Sequence, residues 1–223
     1  MKKTFIAALL LVPVSFAAAA DETKVADETK SDEAVVTAVQ GAAKIDGEID
    51  DAWKQAPKVA VEKRGDESSQ GDLSTATVQL LWDKDHVFAL WRVKDSELSA
   101  SNADNWAQDS IELFIDQNYA RSGSYDDDDG QYRVNFEGEL SGQGSGFDVN
   151  DLRAATKKTE NGYVVEMAVK IKHAELKPGA KLGIEFQVNN DAGEGFRDTI
   201  TKWNDIENDS WENTTDFGTL LLK

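Results

Sequence analysis

The chain has 223 residues, a formal charge of −18 and no cysteine. So acidic a surface repels phosphate backbones and anionic headgroups, which argues against nucleic acid and membranes as partners. Without cysteine there is neither a disulfide framework nor a lipidated anchor, so a buried core has to supply the stability.

Lys2 and Lys3 precede an apolar run, Phe5 to Phe16, broken by Pro13 and Ser15, and Ala17–Ala20 follow. That order is a secretory signal peptide over residues 1–20, too short and wrongly flanked for a membrane anchor. An exported protein, periplasmic or secreted, is expected, with no membrane insertion. Loss of Lys2 and Lys3 takes the formal charge from −18 to −20. Residues 21–40 open on an imperfect repeat, Ala-Asp-Glu-Thr-Lys twice over, charged and without aromatics. They read as an acidic disordered leader. The folded domain is expected over residues 41–223.

Asp46-Gly47 is a turn, and Asp50 is placed to cap one short helix containing Ala52, Trp53 and Ala56, ended by Pro57. Val59–Val61 is a short strand. Thr75–Trp82 and His86–Val93 alternate apolar and polar residues about Asp83-Lys84-Asp85, which makes a β-hairpin. Ile111–Asp116 follows a polar loop, with Ile111, Leu113 and Ile115 on one face and Glu112, Phe114 and Asp116 on the other. Gln131–Phe136 sets Gln131, Arg133 and Asn135 on one face, and Gly138–Gly146 reads as a loop. Arg153–Lys158 and Gly162–Lys170 pair about Asn161-Gly162. Ile171–Leu176 offers one helical turn. Leu182–Asn189, Thr199–Trp203 and Phe217–Leu222 complete about ten strands. The fold class is all-β: an antiparallel, jelly-roll-like β-sandwich with one short helix near the N-terminus.

Six tryptophans divide by company. Trp53, Trp82, Trp91 and Trp203 lie in or beside apolar periodic runs and belong to the core. Trp106 and Trp211 stand among Asn, Asp, Glu, Gln and Ser, with little apolar cover. Two flat rings on either side of a slot suit a pyranose, whose axial C–H groups form an apolar face while its hydroxyls point outward. Glu112, Gln131, Arg133, Asn135 and Asn208 are the polar groups placed to satisfy those hydroxyls, Glu112 and Arg133 with charge-assisted bonds.

Asp126, Asp127, Asp128 and Asp129 form a carboxylate run of the kind calcium takes. It is not an EF-hand loop, because Gln131 stands where the sixth-position glycine is required. No organic cofactor is expected. His86 and His173, without cysteine, make no familiar zinc pattern. Two rivals to sugar binding remain: a glycoside hydrolase using the carboxylates of Asp109 and Glu112, and an envelope interaction module whose aromatic slot meets a protein.

Several stretches together resemble family 9 carbohydrate-binding modules, the kind appended to xylanases. They are Ile45 to Trp53, Leu81-Trp82-Asp83, Trp106 to Asp116, Asp129 to Asn135, Gly162 to Glu166, Gln187-Val188-Asn189, Trp203-Asn204-Asp205 and Ser210-Trp211. The resemblance runs in order over about residues 41–223. It implies a two-sheet sandwich, not an enzyme, that binds soluble sugars and the reducing ends of β-1,4-glucan and xylan chains. It places the end sugar between the tryptophans matching Trp106 and Trp211, with Glu112, Arg133, Asn135 and Asn208 as polar partners. It also implies structural calcium and an association with glycan-degrading enzymes.

Overall fold

The computed structural model describes Met1, residues 34–65 and residues 70–223. The expected signal peptide and the leader as far as residue 33 lie outside the described residues. In chain order the strands are β1 (Val35–Gln40), β2 (Val59–Val61), β3 (Lys63–Arg64), β4 (Thr75–Trp82), β5 (His86–Lys94), β6 (Ser110–Asp116) and β7 (Asp129–Asn135). Then come β8 (Leu140–Gln143), β9 (Leu152–Thr159), β10 (Gly162–Lys170), β11 (Lys181–Asn190), β12 (Thr199–Lys202) and β13 (Gly218–Leu222).

The β4–β5 hairpin turns as its sequence dictates. Asp83 Oδ1 accepts the backbone N–H of Asp85 at 2.8 Å and of His86 at 2.7 Å, which closes an Asx turn. One layer runs β8-β7-β6-β11-β13, with β12 on β11 and β3 on β12; the other runs β4-β5-β10-β9, with β2 on β4. β1 joins them. Its first four residues lie parallel to β13, and Val39–Gln40 lie parallel to β4.

The inner faces share one core. Ile111, Leu113, Ile115, Ile184, Phe186 and Val188 from the first layer meet Val78, Leu80, Val87, Trp91, Val165 and Met167 from the second. The Trp91 and Phe186 rings touch edge-on across the interface, 5.5 Å between centroids. A 3-10 turn, Asp51–Gln55, carries Trp53 over the outside of the second layer against Leu81, Phe88 and Leu90. Asp50 accepts from Ala52 N at 2.8 Å, so the cap is made, and Trp53 Nε1 donates to Glu166 at 2.8 Å.

Four expectations change. The sheet is mixed rather than antiparallel, because β1 runs parallel to both neighbours. Among the described residues there are thirteen strands rather than about ten: β1, β3 and β8 are additional. β1 takes residues 35–40 out of the expected leader, and its alternating β-branched run Val-Val-Thr-Ala-Val is a good strand sequence. Ile171–Leu176 forms a bend in irregular chain instead of a helical turn.

Candidate binding site

A polar row crosses the outer face of the first layer. Residues paired directly across a ladder share a face. Glu112 on β6 is opposite Arg133 on β7, and Phe114 is opposite Gln131. β11 adds Gln187 opposite Glu112, β8 adds Gln143 opposite Gln131, and β12 adds Lys202 opposite Gln187. Phe114 is the apolar floor of the row. It is edge-on to Phe217 at 6.0 Å, and the Lys202 ammonium lies 4.9 Å from its ring centroid.

Glu112 is the hub. It is 1% exposed, and each of its oxygens accepts two N–H donors. Oε1 takes Arg133 Nε at 2.5 Å and Asn189 Nδ2 at 2.8 Å. Oε2 takes Gln131 Nε2 at 2.6 Å and Gln187 Nε2 at 3.2 Å. Burial alone would favour the neutral acid, yet Arg133 and Asn189 hold the carboxyl below the usual range. A charged Glu112 accepts only, so the Gln131 amide nitrogen must face it. Gln131 Oε1 is thereby turned away, buried and without a partner among the described residues.

Two loops raise the walls. Trp106 rides on a 3-10 turn, Asn105–Ala107, just before β6. Behind it Asp109 accepts Ser99 N at 2.6 Å and Asp191 N at 2.8 Å. Trp211 lies in the loop after β12. Glu185 clamps the start of that loop by accepting the backbone N–H groups of Trp203, Asn204 and Asp205 at 2.9, 3.0 and 2.8 Å. Ser210 is locked between Lys202 and Asp205, and Trp211 O accepts Gln143 Nε2 at 3.0 Å. Asn208 adopts φ 62°, a conformation Asn tolerates well.

Floor and walls enclose an open cavity of about 240 Å³. Trp106 and Trp211 both line it, each 48% exposed. Trp53, Trp82 and Trp91 are buried, and Trp203 packs against the core. Glu112, Gln131, Arg133 and Asn208 line the cavity too, so six of the seven residues singled out from the sequence converge. Asn135 does not line it. It bonds Gln108 at 2.8 Å and caps the following turn through Glu137 N and Glu139 N. It shares the face of Arg133 but stands at the strand end, opposite Ser110 and under the Trp106 loop. Phe114, Gln143, Gln187 and Arg197 line the cavity without having been singled out. The position of Phe114 on the Glu112 face was the signal for it; no periodicity marks Arg197.

Asp109 and Glu112 do not form a carboxylate pair across this slot. Asp109 is fully buried and is not among the lining residues. Burial and the neighbouring Asp95 push its carboxyl up to about 8, against its bonds to Asp191 and Ser99.

The acidic run is split by the fold. Asp128 and Asp129 join Asp116 of β6, with one oxygen from each within 4.8 Å of the others. Asp126 and Asp127 are not in this group: Asp126 turns its N–H to Asp129 at 2.8 Å, and Asp127 is exposed. The turn into β7 buries Asp128 and Asp129 but leaves Asp127 exposed and Asp126 only part-buried, so the four consecutive carboxylates do not converge. Asp129 Oδ1 is buried without a partner among the described residues. Burial raises Asp128 to about 6 and Asp129 to about 7. Three crowded carboxyls and an orphaned oxygen fit a hard cation.

An all-β sandwich with an aromatic-walled, polar-floored slot on an outer face is a binding module. The chain belongs to the carbohydrate family 9 binding domain-like family, whose profile matches residues 45–223. It is 39% identical over 188 residues to endo-1,4-beta-xylanase A of Thermotoga neapolitana, which covers 84% of this chain and 18% of that protein. It is equally similar to exoglucanase XynX of Acetivibrio thermocellus, over 84% of this chain and 17% of the relative. The chain thus spans less than a fifth of these relatives. A family 9 module from Caldicellulosiruptor kristjanssonii in complex with cellotriose superposes with a TM-score of 0.80 at 29% identity, covering 85% of this chain and 94% of that one. A complex of a family 9 module from the same organism with glucose gives 0.79, also at 29% identity, over 85% of this chain and 96% of that one.

Proposed function

We propose that the chain binds, without cleaving it, the terminal sugar of a β-1,4-linked glucan or xylan in the slot between Trp106 and Trp211. The observation that carries this is the cavity itself, walled by two half-exposed indoles and lined by Glu112, Gln131, Arg133 and Asn208. Such a slot suits a ligand with an apolar face and outward hydroxyls, and a sugar supplies both. Glu112 is already filled by four N–H groups, so its role is to orient the donors around it. Gln131, Arg133 and Asn208 then read the hydroxyls. The solved family 9 complexes with cellotriose and glucose support a β-glucan end as the ligand.

Two opposed rings enclose one sugar and admit a chain end in preference to an internal unit. Calcium at Asp116, Asp128 and Asp129 would stiffen the layer edge beside Gln131. The N-terminal charge and hydropathy pattern supports export to the periplasm or beyond, and xylanase relatives support glycan-degrading enzymes as companions. Calorimetry with glucose, cellobiose and xylobiose tests the reading. A disaccharide at roughly 0.3 kcal/mol per heavy atom reaches a Kd on the order of 10 μM. No heat with any of the three, at millimolar sugar, would remove the proposal.

A further inference from the structure

Trp106 and Trp211 are equally exposed, but they are held differently. The Arg197 guanidinium lies 5.1 Å from the Trp106 ring centroid, and no cation is paired with Trp211 among the described residues. Arg197 also donates from Nη1 to Asn189 Oδ1 at 3.3 Å. Asn189 in turn donates to Glu112 at 2.8 Å and to Ser110 Oγ at 2.9 Å. One side chain therefore connects a wall of the slot to its charged floor.

The loop that presents Arg197 is built for this. Asp191 accepts the N–H groups of Gly193 and Gly195, both at 3.0 Å, and the Ser99 hydroxyl at 2.7 Å. Gly193 and Gly195 have φ of 87° and 80°, a region L-residues avoid. Asn102, from the Trp106 loop, bonds Gly195 O. The two loops are thus tied together, and Arg197 is aimed at the ring.

We propose that Arg197 is a positioning residue of the sugar slot: stacked on Trp106 and bonded through Asn189 to Glu112, it fixes the indole in its binding pose before ligand arrives. The inference rests on the sugar-binding reading for its affinity test and stands without it for its conformational test. A cation–π contact at a partly exposed ring contributes an amount that corresponds to about three- to thirtyfold in an equilibrium constant.

Two experiments decide it. In the first, R197A and R197K are titrated with cellobiose, and their thermal midpoints are recorded. R197A should weaken binding about three- to thirtyfold with a midpoint close to the wild type, and R197K should recover part of the loss. Wild-type affinity in R197A would overturn the inference. In the second, acrylamide quenching is compared in W211F and W211F/R197A, where Trp106 is the exposed indole. Removing Arg197 should increase quenching of the exposed fraction. Unchanged quenching would overturn the inference whether or not any sugar binds, whereas absence of sugar binding with increased quenching would sink only the sugar reading.

Discussion

Replacing Glu112 by Gln should unfold the domain at markedly milder conditions, because the change strands a charge. Glu112 is 1% exposed and the Arg133 side chain is 9% exposed, with Nε 2.5 Å from Oε1. The variant keeps the shape but loses the anion, so the Arg133 guanidinium remains in a nearly dry site without its counter-charge. Two of the four donors around Oε1 and Oε2 also face an amide N–H instead of an oxygen. Removing one partner of a buried ion pair costs about 3–5 kcal/mol. A domain of this size loses about 2–4 °C per kcal/mol, so the midpoint should fall by roughly 6–20 °C. The assay is guanidinium unfolding of wild type, E112Q, R133M and E112Q/R133M. Because the cost is an orphaned cation, the double variant, with an apolar stem in place of the guanidinium, should recover at least half of the E112Q loss. A single-variant loss below about 1 kcal/mol, the size of a solvent-screened surface pair, would refute the idea of a preorganised charged floor.

W106A and W211A should each abolish measurable cellobiose binding in calorimetry while moving the thermal midpoint little, since both rings are half exposed; normal binding by either removes that wall from the site. Calcium should stabilise the domain by about 2.7 kcal/mol at a hundredfold excess over Kd, raising the midpoint, and chelator should lower it. D116N should lose that response and D127N keep it, whereas equal responses in both would dissolve the Asp116–Asp128–Asp129 assignment. Asp109 is protonated more readily folded, near 8, than unfolded, near 3.8. Its contribution is therefore fully present below the unfolded value and is lost as pH rises toward 8. Melting from pH 5 to 9 should show a downward slope that D109N reduces, and parallel curves would contradict it. Methyl cellobioside, and cellulose with its ends reduced to alditols, should bind more weakly than cellobiose and native cellulose if the anomeric hydroxyl is read; equal binding would point to an open groove.

The parts of the fold written with period two were legible. Ile111, Leu113 and Ile115 face the core and Glu112 and Phe114 the outer side, as alternation requires. The polar company of Trp106 and the apolar company of Trp91 are enough to separate an exposed indole from a buried one. Other parts depend on tertiary context. β8 reads Leu-Ser-Gly-Gln and has no alternation. It is a strand because β7 offers it an edge, and Gly142 is needed there because a Cβ would collide with the Gln131 carbonyl. β1 is composed like a strand but adjoins an acidic leader, and its parallel partners lie more than forty and a hundred and eighty residues away. Asn135 has the right phase for the slot and the wrong height along the strand. Arg197 comes from a loop of Gly, Glu and Phe whose conformation is set by Asp191, and nothing local announces its destination.

The most direct test of the sugar site is a crystal structure of the domain grown with cellobiose. The account predicts one glucose ring between the Trp106 and Trp211 indoles, with its hydroxyls bonded by Arg133 and Asn208. Density for the sugar on a different surface, or an empty slot at saturating cellobiose, would contradict it.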